Sequence, residues 1–258
     1  MKISTFIVLF SSLTIAANAQ TFTIMPVGNK ISFSNVNQVN IIGYEGKEVM
    51  FENKDYDHEY FNRASGLKLI NSEIFDNTKI GLSVQNQGDV LIVKQVGNND
   101  ACNEAFKYII KVPSNINIEY KHSSWDGDDL NINNISGEIE VSTNYNDIYL
   151  KAVTGPMAIK TVYGSIEVEF EELAQIGSVS LYSVYEYIDI TLPENAQSSI
   201  NLKTNHGNIY SDMDINILNE ENTNILSNGD KIEGNLNGGG VDLIINANYD
   251  NIYLRKAK

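Results

Sequence analysis

Five residues in the second half of the chain share one local setting. Tyr149, Glu167, Asp189, Tyr210 and Tyr253 each follow an isoleucine directly, and all but Tyr210 precede another aliphatic residue. Phenol rings can lie against the apolar faces of sugars, and carboxylates accept hydrogen bonds from hydroxyls. A row of such groups is the chemistry of a glycan-binding face. The plainer reading of the same row is that tyrosine is common on the exposed side of a strand.

A second constellation is acidic. Asp126, Asp128 and Asp129 surround Gly127 beside Trp125, the one tryptophan. Calcium takes clustered carboxylate oxygens, but the spacing fits neither an EF-hand nor the glycine-aspartate nonapeptide of calcium-binding β-rolls. A solvated turn leading into the repeat is the favoured reading. Calcium is the one cofactor left open, and no other is expected.

Catalytic signatures are missing. The chain has no G-x-S-x-G and no H-E-x-x-H, and His58, His122 and His206 have no ligand spacing among them. Acids for glycoside cleavage are plentiful, yet nothing selects a pair. The expectation is a protein that binds and is not an enzyme.

The elements that would position the row come from a repeat. IEVSTNYNDIYL (139–150), MAIKTVYGSIEV (157–168), VSLYSVYEYIDI (179–190), INLKTNHGNIYS (200–211) and LIINANYDNIYL (243–254) superpose. Each alternates apolar and polar residues with period two, breaks at a turn, then resumes at Ile148, Ile166, Ile188, Ile209 or Ile252. A copy has one apolar face and cannot bury it alone, so successive copies must stack with like residues in ladders. This predicts an all-β fold, a parallel β-solenoid of short strands.

Parity places Tyr145, Tyr163, Tyr185 and Tyr249, with His206 in the fourth copy, on the inward side as a packed corner ladder. Val162, Tyr182 and Val184 have outward parity but are apolar. They call for a cover, which the N-terminal half would supply.

Residues 20–112 carry a weaker strand pattern and are read as an irregular β region packed on the repeat region, 113–258. Residues 1–19 read as a secretory signal peptide, with Lys2, an apolar stretch and an A-x-A site at Ala17–Ala19. Export to the periplasm, the cell surface or the medium follows. No later stretch is long and apolar enough to span a bilayer. With Cys102 as the one cysteine, no intramolecular disulfide can form. The net charge of −15 argues against nucleic acid and gives no polybasic patch for anionic lipid.

The segments ITLPENAQSSINLKTNHGNIYSD and IEGNLNGGGVDLIINANYDNIYLRK resemble the bacterial family of putative adhesins, with its G-[D/N/E]-I-x-[V/L] repeats and closing GGG–strand–turn–IYLRK segment. The resemblance covers about residues 110 to 258 well and the earlier part loosely. It implies a right-handed parallel β-solenoid in an exported protein, and it carries over no catalytic set. Tyrosine before the turn departs from the smaller polar residues of many relatives. The reading that follows is an adhesin-like binding module whose partner is a glycan or an envelope protein. Two others stay open: a polysaccharide-processing enzyme on a β-helix, and an envelope scaffold or regulatory protein.

Overall fold

The computed structural model describes residues 20–53, 74–96, 107–125, 127–218 and 230–258. Cys102, His58 and the proposed signal peptide lie outside these residues. Among them every regular element is a strand, so the all-β expectation holds. The strands form two large, mostly parallel sheets of ten and eleven.

In chain order, β1 (Gln20–Ile24) is followed by β2 (Lys30–Ser34), β3 (Val39–Tyr44), β4 (Val49–Asn53), β5 (Leu82–Gln87), β6 (Val90–Gln95) and β7 (Tyr108–Pro113). Next come β8 (Asn117–His122), β9 (Leu130–Asn133), β10 (Ile139–Thr143), β11 (Ile148–Val153), β12 (Met157–Thr161), β13 (Ile166–Phe170), β14 (Ser178–Ser183) and β15 (Ile188–Leu192). The last are β16 (Ser198–Thr204), β17 (Ile209–Ser211), β18 (Ile215–Ile217), β19 (Lys231–Leu236), β20 (Val241–Ala247) and β21 (Ile252–Lys256).

From β8 to β17 the chain alternates between sheets, one strand in each, and every such pair makes a layer. Each repeat copy is one layer. Its first strand pairs in the eleven-stranded sheet and its second in the ten-stranded sheet, parallel to and in register with the strands of the adjoining layers, while β16 also takes an antiparallel neighbour, β19, on its other side. Ile148 pairs with Ile166, Ile166 with Ile188, Ile188 with Ile252 and Ile252 with Ile209. The first four are fully buried, a gain of about 1.5–3 kcal/mol for each side chain taken from water. Ile209 is only partly buried, because β17 is the edge strand of its sheet.

Layer order in space differs from chain order. The final layer, β20–β21, lies between β14–β15 and β16–β17. The layer β2–β3 likewise lies between β6–β7 and β8–β9. The strands of residues 20–112 therefore extend the ends of the same two sheets by pairing edge to edge, β2 with β8 and β3 with β9. That placement is not a cover over Val162, Tyr182 and Val184, which are half-buried.

The turn between the two strands of a layer explains the Thr/Ser column of the repeat. Thr161 Oγ1 accepts from Gly164 N at 3.3 Å and donates to Asn146 O of the preceding layer at 3.3 Å. Ser183 Oγ does the same with Glu186 N (3.3 Å) and Gly164 O (3.0 Å). Thr204 Oγ1 does so with Gly207 N (2.8 Å) and Asp250 O (3.1 Å). One hydroxyl thus closes its own turn and ties it to the next. The layers approach so closely here that a Cβ on Gly164 would sit 1.8 Å from Asn146 O, which excludes every larger residue.

Candidate functional site

The outer face of the ten-stranded sheet carries two columns of side chains, one residue of each per layer. The inner column runs Asn131, Tyr149, Glu167, Asp189, Tyr253, Tyr210, every neighbour being a register partner. The five residues singled out in the sequence therefore stand in one line. Their order is not that of the chain: Tyr253 precedes Tyr210, because β21 is inserted before β17. The second column, two residues along each strand, runs Asn133, Lys151, Glu169, Thr191, Arg255. Sequence reasoning passed over this column, although the same alternation that exposes Tyr149 also exposes Lys151.

Between these columns lies an open groove of about 460 Å³, from Asn131 and Asn133 at one end to Asp189, Thr191 and Arg255 at the other. Tyr149, Glu167 and Asp189 line it. Tyr253 and Tyr210 continue the line beyond it and stack on each other, with ring centroids 5.4 Å apart and planes at 12°. Arg255 sits over the Tyr253 ring at 5.3 Å. The facing surfaces of these two rings are thus occupied within the protein. Tyr149 is the groove's own aromatic wall.

The charges in the groove are largely matched. Arg255 Nε donates to both oxygens of Asp189, at 2.7 and 2.9 Å, and Lys151 Nζ lies 3.1 Å from Glu169. Glu167 accepts from Tyr187 Oη at 2.7 Å. This hydrogen bond, with partial burial, pushes the Tyr187 phenol up to about 12, because ionising it would place two anions face to face. The Tyr149 phenol is raised too, first by burial and then by Asp147, Asp129 and Glu167. Both phenols stay neutral donors at ordinary pH.

The corner ladder does not lie where parity put it. Tyr145, Tyr163, Tyr185 and Tyr249 are between 41% and 50% exposed, and His206 is exposed as well. The turn breaks the strand's alternation just before these rings and turns them outward. They stack in spatial order, Tyr145–Tyr163–Tyr185–Tyr249–His206, with centroids 4.8–5.2 Å apart and planes within 14°. Ring faces meet ring faces, and the edges point to solvent.

Of the acidic constellation, Asp126 lies outside the described residues. Asp128 is engaged: Gln38 Nε2 donates to its carboxylate, its own N–H donates to Asn37 Oδ1 at 2.9 Å, and its Oδ1 accepts from Asp129 N at 2.8 Å. Burial first, then Asp128 and Asp147, raises the Asp129 carboxyl. Among the described residues no cluster of three or more His, Cys, Asp or Glu could hold a metal, and no helix is long and apolar enough to cross a membrane.

No family model and no curated protein matches the chain. Among solved structures it is similar to a putative cell adhesion protein from Clostridium sporogenes, at 14% identity and a TM-score of 0.48, over 93% of this chain and 100% of that one.

Proposed function

We propose that the chain is an exported, adhesin-like binding module of the bacterial envelope or cell surface, non-catalytic, holding a glycan on the outer face of the ten-stranded sheet. In this reading the layers form a parallel β-solenoid, right-handed as parallel crossovers almost always are, and the repeat serves to build a long, regular face. The observation that carries the reading is the groove itself. It combines an aromatic wall, three carboxylates and two amides in two in-register columns, the mixture of one flat ring and many hydroxyl partners that suits sugars.

The test is a glycan-array screen of the purified chain, with and without calcium, beside a Tyr149→Ala/Glu167→Gln variant that keeps its β-sheet circular dichroism. A saturable hit lost in the variant supports the reading. Silence in all conditions, or a hit the variant keeps, removes it. One observation favours the enzymatic alternative: Glu167 and Asp189 are register partners on neighbouring strands. Depolymerisation of a polysaccharide abolished by Glu167→Gln would establish that instead.

A further inference from the structure

We infer that the groove takes an extended, neutral β-1,4-linked glycan laid across the strands, with one sugar to each layer. The inference rests on the glycan reading above and narrows it to a linkage and a charge class.

Register is the first argument. Asn131, Tyr149, Glu167, Asp189 and Tyr253 are Cα partners from strand to strand, without a shift at these positions. Parallel pairing repeats them in one orientation, about 4.8 Å apart. Five layers make a straight lane of roughly 19 Å at that step. A β-1,4-linked chain of hexoses is a flat ribbon whose advance per sugar is close to this spacing. Its hydroxyls fall along both edges, where the two columns offer acceptors. An α-1,4-linked chain curls, so its sugars leave the lane after one or two layers.

Charge is the second argument. Both cations of the lane, Lys151 and Arg255, are already engaged by Glu169 and Asp189. Glu167 is held by an uncharged donor, Tyr187. The lane therefore carries one net negative charge within a chain of net charge −15, and it offers no uncommitted cation to a uronic acid or a sulfated sugar. Neutral hydroxyls, or the amides of N-acetylated sugars, suit it.

The experiment is titration calorimetry of the purified chain with β-1,4-linked glucose and β-1,4-linked N-acetylglucosamine oligosaccharides of two to seven sugars, beside α-1,4-linked glucose oligosaccharides of equal length. Affinity should rise about threefold to tenfold per sugar, the worth of about one net hydrogen bond, and level off near five sugars. The α-linked series should stay weaker by the same cumulative factor. Whichever β-linked series binds more tightly tells a plain hexose polymer from an N-acetylated envelope glycan. Glu167→Gln, at mid-lane, should lower pentasaccharide affinity about tenfold. Lys160→Ala, on the other sheet, should leave it unchanged. Equal binding of α- and β-linked series, or affinity independent of length, overturns the inference and leaves the glycan reading standing. Failure of every glycan, here and on the array, overturns both.

Discussion

At the scale of single residues, the contact most open to measurement is the hydrogen bond from Tyr187 to Glu167. Together with partial burial, the lesser cause, it raises the Tyr187 phenol to about 12 from an ordinary value of 10. The sign follows from linkage: between those values the folded chain holds a proton the unfolded chain has released. The contribution to stability is complete below pH 10 and is lost as pH climbs toward 12. Phenolate absorbance during an alkaline titration should show a tyrosine that resists ionisation after the ordinary ones have titrated. In Glu167→Gln that late phase should move back toward 10. An unchanged titration would mean that burial, the lesser cause, holds the phenol up. Glu167 was legible in the sequence as a site candidate, since its place after Ile166 marks it as outward. Tyr187 was not, because it sits in the turn, where alternation says nothing about direction.

At the scale of elements, the Thr/Ser column decides how firmly each turn is tied to its neighbour. Thr161 satisfies a buried backbone donor, Gly164 N, and also reaches the preceding layer. Thr161→Val keeps the shape and orphans that donor, so it should cost about 1–3 kcal/mol in urea denaturation. Thr143 belongs to the same column, but its hydroxyl is buried without a hydrogen-bond partner among the described residues. Thr143→Val should therefore be neutral or slightly stabilising. Equal losses in the two variants would show that the column acts through packing alone. The repeat was readable because parallel register sets like over like, isoleucine on isoleucine and hydroxyl on hydroxyl. The corner rings were misread for the opposite reason: strand parity does not survive a turn, so Tyr145 and its partners face water where alternation predicts the core.

At the scale of the whole molecule, the order of layers was hidden in the sequence. A layer's apolar pattern specifies two inward faces and is indifferent to which layer lies above it. The pairing places β20–β21, the last layer in the chain, inside the stack with β14–β15 on one side and β16–β17 on the other. In an array stacked in chain order, removing the last repeat shortens one end and leaves the rest folded. Here the same cut takes out an interior layer. A chain ended after Asn237 loses Leu243, Ile245, Ile252 and Leu254, all essentially buried, at about 1.5–3 kcal/mol each. Their sum rivals the whole net stability of an ordinary domain, about 5–15 kcal/mol. It would also leave β14, β15, β16 and β17 without their partners on that side. The truncated chain should show no cooperative thermal transition and should be digested throughout by protease. A truncated chain that melted cooperatively, only a few degrees lower, would mean that β16–β17 had closed onto β14–β15. The interior place of the last layer would then be dispensable to folding.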